Sequence, residues 1–461
     1  MSPNISIKQF TLLLLSSLLL LAGCKKYVDI QPQGKIVPTT LNDFQQLLNN
    51  STIFNLGSGT TDLMTDDVAF TDTTIFTSLD PAHLNIYSWA QGIYQGNQDD
   101  PEWNLYYEQI YYANVVINGV PAATGATDTG KAQLIAAAKV HRAYAYLCLV
   151  NQYAPQFDSA TAASDAGVPL LLEPGFTQKL NRASVKAVYD QVLEDLHSAI
   201  PFLPGLPVYK TDPSQAAAYA ILARAYLDLS SYSNALSYAD SALQLQSGLL
   251  DLRPLATSSS PFDYLSLPAS NLNPEVILMK ASNEQDAPIL LSQELLDLLG
   301  PDDLRAKVFA IGGQLLTNYN GYIFSYISPL EAPHVGPRTG ELFTIKAECQ
   351  ARLGDATGAL QTVNALRVYR IDPSKYALLT AANAQDALTI ALQERRRELF
   401  GRGFRLFDLK RLNKNPATAK TVLHPWSNGA ILQQAPGSNR FIYPVAPKIL
   451  AANPEIGQSP R

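Results

Sequence analysis

Small residues recur at matched intervals in two distant parts of the chain, and that recurrence limits the fold more than any other feature of the sequence. In "AAAYAILARAYLDLSSYSNALSYADSALQL", residues 216–245, Ala223, Ala235, Ala239 and Ala242 are 12, 4 and 3 residues apart. In "ELFTIKAECQARLGDATGALQTVNALR", residues 341–367, Ala347, Ala359, Val363 and Leu366 repeat those intervals. Small side chains at such points let two antiparallel helices approach closely, as in tetratricopeptide hairpins. The two units lie far apart, so the expected fold is mainly α, a tetratricopeptide-like helical-repeat scaffold with insertions and a few short strands.

Other segments carry the same period. "PEWNLYYEQIYYANVVIN" opens a helix with Pro101 in its first turn, and "AQLIAAAKVHRAYAYLCLVNQYAP" continues as a second that stops before Pro155. Val185, Val188, Tyr189, Val192, Leu193, Leu196 and Ile200 form one apolar stripe, capped by Ser184 and ended by Pro201. A short entry helix follows Thr40, with Asp43 three residues on. Residues 51–100 are rich in Asp, Thr, Asn and Gly and are expected as long loops, as are residues 247–338 and 413–461. Asn320-Gly321 is a hairpin signal. The expected organisation is a helical region over 24–250 and a loop-rich region over 251–461, packed as one body.

The N-terminus reads as an export signal. Lys8 precedes an apolar run from Phe10 to Leu21, too short for the roughly 20 residues that span a membrane and suited to a secretory core of about 7 to 15. Leu21-Ala22-Gly23-Cys24 resembles a bacterial lipobox, so residues 1–23 are expected to be removed and Cys24 acylated. Each buried methylene contributes about 0.8 kcal/mol, so two or more chains, palmitate among them, hold a protein firmly to a membrane face. Lys25 and Lys26 would then lie near anionic head groups.

The formal net charge of -6 gives no electrostatic reason to bind nucleic acid. Charged residues are only 16% of the chain, while Tyr alone numbers 23, a surface better suited to neutral, hydroxyl-rich ligands than to ionic ones. His83, His141, His197, His334 and His424 are dispersed without metal-ligand spacing, and neither a nucleophile elbow nor a phosphate-binding loop is present. No catalytic residue, metal or cofactor is expected. Asp66-Asp67 and Asp99-Asp100 do not set two carboxyls across a bond, as glycoside hydrolysis requires. In "QERRRELFGRGFRLFDLKR" the cations alternate with carboxylates, so pairing of Glu394 with Arg397 and of Arg395 with Glu398 is expected, with Gly401 and Gly403 ending the helix and Asp408 a structural partner.

Taken in order, several motifs resemble the SusD/RagB family of outer-membrane lipoproteins. They are the lipobox followed by Tyr27-Val28-Asp29 and Pro32, "WNLYYEQIYYANVVIN", "RASVKAVYDQVLEDLHSAIPFLP", "GELFTIKAECQARLGD", "ALTIALQERRRELFGRGFRLFDLKR" and "YPVAPKILAANPEIGQSP". The tail departs from the family pattern at Ala446, Ile449 and Gln458-Ser459-Pro460-Arg461. The resemblance implies four tetratricopeptide-type helix pairs supporting a loop-rich second half. It also implies a surface-exposed, lipid-anchored protein that captures an oligosaccharide and delivers it, without covalent chemistry, to a SusC-like TonB-dependent transporter. The alternatives are a peptide-binding RagB-like protein of the same system or a tetratricopeptide adaptor that binds only protein.

A sugar site needs a flat aromatic face for the C–H side of a pyranose, with amides and carboxylates at its edge. "NIYSWAQGIYQGNQDD" supplies that mixture in Tyr87, Trp89 and Tyr94 with Gln91, Asn97 and Asp99. Tyr319 and Tyr322 beside the hairpin turn are the second choice and Trp426 the third; Trp103 opens a helix and is expected to pack. The resemblance adds Asp66 and Asp67 as residues turned toward ligand and transporter.

Overall fold

The computed structural model describes residues 38–125, 127–175, 178–256, 267–283, 289–315, 319–325 and 332–461. The expected signal segment, Cys24, Lys25 and Lys26 lie outside the described residues.

Eight helices, taken in chain order, each pack on the next: Pro101–Gly119, Asp128–Tyr153, Val185–Ala199, Gln215–Asp228, Tyr232–Leu245, Thr339–Arg352, Ala356–Arg367 and Ala384–Leu399. Residues 246–338 leave this ladder and return to it, so Tyr232–Leu245 lies directly against Thr339–Arg352. The repeated small residues are the reason. Ala223, Ala235, Ala239, Ala242, Ala347, Ala359, Val363 and Leu366 are all buried at these contacts, where a larger side chain would hold the backbones apart.

Local signals set the helix ends. Thr40 and Asp43 form a reciprocal capping box, with Asp43 N donating to Thr40 Oγ1 at 3.2 Å and Thr40 N to Asp43 Oδ2 at 2.9 Å. Ser184 Oγ accepts from Ala187 N at 3.1 Å. Residues 51–100, expected as loops, contain four short helical turns at Ser51–Phe54, Thr61–Met64, Ile75–Ser78 and Pro81–Tyr87. Asp80 caps the last of these with its side chain, directly before Pro81.

Strands are few and short. Ala310–Gly312 pairs with Tyr322–Phe324 in antiparallel register, Gly312 opposite Tyr322, and Asn320-Gly321 stands at the end of the nine-residue connection 313–321 instead of forming the two-residue turn that its hairpin signal led one to expect. A second hairpin pairs Val422–Pro425 with Ile431–Gln434. Buried ion pairs tie the helices across long sequence distances: Arg142 with Asp195 at 2.6 Å, Arg224 with Glu341 at 2.7 Å and Arg411 with Glu348 at 2.5 Å. Glu394 pairs with Arg397 at 3.0 Å as expected, but Arg395 turns to Asp408 at 2.8 Å and not to Glu398, whose carboxylate is taken by Arg305 and Arg370. Gly401 and Gly403 both have positive φ, and a Cβ on Gly401 would collide with the Phe324 ring, so the helix end doubles as a seat for the hairpin. Cys148 and Cys349 are buried free thiols.

Candidate functional site

The segment 58–101 carries the candidate site within itself and packs beside Tyr319 and Asn320, more than 200 residues away in sequence. Asn320 N donates to Asp72 Oδ2 at 2.7 Å, and the Tyr319 hydroxyl lies 2.7 Å from Ser78 Oγ. The tip of the 310–324 hairpin is thereby fixed over the Ile75–Ser78 turn. Beside it opens a cleft of about 410 Å³ lined by Thr60, Ser78, Leu79, Asp80, Ala82, His83, Ile86, Tyr94, Gln98, Asp99 and Pro101.

The cleft combines hydroxyl, amide, imidazole and carboxylate groups with an apolar floor. Two of its polar side chains are held in place: Asp80 accepts from Ala82 N at 2.7 Å and Gln98 Oε1 from Gln95 N at 2.7 Å. Asp99 pairs with Lys448 at 2.7 Å on the exposed rim. Tyr94 stands in the wall, its hydroxyl donating to Asp100 Oδ1 at 3.3 Å, and burial with that neighbouring carboxylate keeps the phenol protonated at any ordinary pH. Asn97 is exposed next to Gln98.

Tyr87 and Trp89 are not platforms, which corrects the sequence expectation. Trp89 is 4% exposed and Tyr87 is fully buried. The His424 ring lies between them, 4.1 Å from each, and Phe70 stacks on the far face of Tyr87 at 4.0 Å. Trp89 Nε1 donates to Met64 O at 3.1 Å; Tyr87 accepts from Phe70 N and donates to Pro425 O, each at 3.0 Å. Trp89 also holds φ at +51°, which is costly for a bulky residue and is sustained by this stack. Buried in that stack, neither ring offers a face to a ligand. Of the other expected aromatics, Tyr322 is 50% exposed and Tyr319 and Trp426 are half-buried; Trp426 meets the half-buried Phe76 edge-on at 4.9 Å, and none of these rings lines the cleft.

Asp66 and Asp67 are likewise buried and engaged in the fold. Asp66 pairs with Arg405 at 2.8 Å, Lys420 at 2.6 Å and Arg396 at 3.1 Å, while Asp67 pairs with Arg396 at 2.6 Å. Burial alone would raise the Asp66 pKa, but the three cations overturn it and hold the carboxyl below its usual range. These carboxylates lock the 58–72 segment to the Ala384–Leu399 helix and to Arg405 and Lys420 beyond it, and are not open to ligand.

Their neighbour Asp62 behaves differently. Its Oδ2 accepts from Gly403 N at 2.8 Å, its Oδ1 has no partner among the described residues, and burial raises its pKa to about 7. The folded state thus binds a proton between the ordinary carboxyl range and about pH 7 that the unfolded chain releases, and this site contributes stability on acidification and loses it as pH rises through 7. Asp62→Asn keeps the acceptor for Gly403 and removes the titration. After allowing for its own unpaired amide, the variant is expected to be about 1–2 kcal/mol more stable than the parent near pH 8 and no more stable near pH 5. Urea unfolding at the two pH values measures the difference, and equal offsets at both would refute the assignment.

Sequence reasoning did not single out Ser78, Asp80, His83 or Gln98. The Asp80-Pro81 pair was a readable helix start that placed Asp80 at a loop end, whereas nothing local tied Ser78 to Tyr319.

The comparisons agree with this architecture. A family model described as "Starch-binding associating with outer membrane" matches residues 26–227, and a SusD family model matches residues 333–460. Among solved structures, a SusD superfamily protein of Bacteroides thetaiotaomicron superposes with a TM-score of 0.70 at 20% identity, over 92% of this chain and 100% of that one. A SusD superfamily protein of Bacteroides vulgatus gives 0.71 at 19% identity, over 92% and 99%. A laminarin-binding SusD-like protein gives 0.62 at 19% identity, over 91% and 98%. No curated protein matches the chain.

Proposed function

This chain belongs to the SusD/RagB family, and on that premise we propose that it is a cell-surface lipoprotein that captures an oligosaccharide and passes it to a SusC-like TonB-dependent transporter in the outer membrane. The observation that carries the reading is the cleft within residues 60–101, where hydroxyl and amide groups surround an apolar floor, with Tyr94 in the wall and the Tyr319 hydroxyl beside it on Ser78. A sugar offers the matching surface, an apolar C–H face rimmed by hydroxyls. Binding without turnover is expected, and the two carboxylates that line the cleft are already engaged, Asp80 as a helix cap and Asp99 with Lys448.

Calorimetric titration of the full chain in detergent with neutral laminarin- and starch-derived oligosaccharides tests this. Saturable binding with no new reducing ends is expected. Cleavage of the sugar, or binding of peptides with no binding of any oligosaccharide, would overturn it.

Membrane retention comes, on this reading, from acyl chains on Cys24. Among the described residues no helix is long and apolar enough to cross a membrane. Cys24→Ala is expected to move the protein from the membrane fraction to the soluble fraction, since about 0.8 kcal/mol is lost with each methylene no longer buried in lipid. Unchanged fractionation of the variant would remove the lipid anchor from the account.

A further inference from the structure

Apolar side chains concentrate on the surface in one place. Of the twelve large apolar residues that stand exposed among the described residues, four lie in the connection between the Val185–Ala199 and Gln215–Asp228 helices: Phe202 is 50% exposed, Leu206 49%, Val208 87% and Tyr209 69%. From Ile200 to Thr211 the segment carries no carboxylate, and Lys210 is its only charge. Leu272, 73% exposed, lies in the neighbouring 269–273 turn. Gln246 ties the two together, accepting from Lys210 Nζ at 3.3 Å and donating to Pro274 O at 2.8 Å.

The backbone holds this loop outward. Pro201, Pro204 and Pro207 fix φ at three positions. Gln215 N donates to Pro204 O at 2.8 Å, Asp212 N to Tyr209 O at 2.9 Å and Met279 N to Lys210 O at 2.7 Å. The apolar side chains are therefore not free to fold inward, and a cluster of this kind marks a surface that something else covers.

What covers it follows from where the chain enters the fold. Thr124 N donates to Thr39 O at 3.0 Å, and the chain passes at once into the Leu41–Leu48 helix. That helix and the loop line one cavity of about 430 Å³, with Leu41, Gln45 and Leu48 contributed by the helix and Leu203, Pro204 and Thr211 by the loop. Fourteen peptide links join Cys24 to residue 38, a reach of at most about 50 Å. The loop thus sits on the part of the body from which the tether to Cys24 leaves.

We propose that the 202–209 loop is a second membrane contact, its Phe, Leu, Val and Tyr side chains seated among the head groups and upper acyl chains of the leaflet that holds Cys24. This rests on the acylation of Cys24 proposed above. Exposed aliphatic and aromatic groups beside one lysine suit a bilayer interface, where Tyr settles at head-group level and Lys reaches a phosphate. No carboxylate of the loop is brought up to anionic lipid. A tether alone leaves the body free to turn; the loop fixes which side of it faces the membrane.

The test uses the full acylated chain in vesicles of phosphatidylethanolamine and phosphatidylglycerol, with an environment-sensitive thiol probe on Val208→Cys. Labelling of the parent, whose Cys148 and Cys349 are buried, gives the background. The control is Leu353→Cys, 52% exposed. Arg352 lies over the Tyr232 ring and Lys346 pairs with Asp240 at 2.6 Å, so Leu353 stands at the opposite end of the Gln215–Asp228 and Tyr232–Leu245 helices from the loop. Lipid spin-labelled high on its acyl chain is expected to quench the probe at position 208 at least about twofold and to leave the one at position 353 unquenched. Phe202→Ser together with Leu206→Ser is expected to remove most of that quenching with the thermal midpoint unchanged, which shows that the variant folds. Protein that does not float with the vesicles overturns the Cys24 anchor and this proposal with it. Floating protein whose position 208 is quenched no more than position 353, as when another protein covers the loop, or is quenched equally after the double substitution, overturns the loop contact alone and leaves the anchor standing.

Discussion

Glu398→Gln is expected to cost the fold about 3–5 kcal/mol, because it removes one partner from a buried charge network and leaves the others uncompensated. Glu398 Oε2 accepts from Arg305 Nη1 at 3.0 Å and Arg370 Nε at 2.8 Å, and its Oε1 accepts from Arg370 Nη2 at 3.0 Å. Arg305 reaches on to Asp303 and Glu394, each at 2.7 Å, and Arg370 and Arg338 both pair with Glu275. Arg305 and Arg370 are among the largest fully buried side chains in the protein. Burial opposes ionisation of Glu398, yet Arg370, Arg305 and Arg338 hold its pKa below the ordinary range, so its contribution is present above that range and lost as pH falls through the lowered value. The network joins Glu275 and Arg305 of the excursion to Arg370 and Glu398 of the ladder, so the variant should loosen the loop-rich half first. Guanidinium unfolding measures the loss. Disruption of the exposed pair Lys186–Asp190 is the control, expected to stay within about 0.5 kcal/mol; a Glu398→Gln loss no larger than that would show the network to be unimportant.

Tyr319→Ala is expected to weaken oligosaccharide binding about tenfold or more, with little change in stability. The ring is half-buried beside the cleft, and its hydroxyl contact to Ser78 helps hold the hairpin tip next to the site. An aromatic contact contributes about 0.5–1.5 kcal/mol beyond the area it covers, and loss of the covered area adds to that. Trp89→Ala is expected to do the reverse: truncation of a buried indole costs about 3–5 kcal/mol of stability, and binding falls only as far as the fold does. Calorimetric titration beside thermal unfolding separates the two effects. Normal affinity in folded Tyr319→Ala would move the sugar site elsewhere; a folded Trp89→Ala with selectively lost affinity would restore Trp89 as a contact residue.

The contrast between these two residues shows where reading along the chain stops. Both are aromatic, both sit in loops rich in Asn, Gln and Gly, and composition gives no way to separate them. Trp89 is covered because His424, 335 positions along the chain in the second hairpin, stacks on it, while Tyr319 packs only part of its ring against the core and sets its hydroxyl on Ser78. Asp66 and Asp67 were equally unreadable as ion-pair residues, since their partners Arg396, Arg405 and Lys420 come more than 300 residues later.

The long helices of the ladder, the Thr40 and Ser184 caps and the close-packed alanine seams followed from the sequence by itself, because a helical hydrogen bond closes within four residues and a cap within three, so the chemistry that sets them is neighbouring chemistry; the short turns in 51–100 carry too few residues to show a period. The Asn320-Gly321 signal marked a strand pair but not its turn, because the connection runs from 313 to 321. Only the tertiary structure decided which loop aromatics are covered, which carboxylates are neutralised and which hydroxyls converge on a cleft. Burial and ion pairing depend on what arrives from the far end of the chain, and a local pattern carries no record of that arrival.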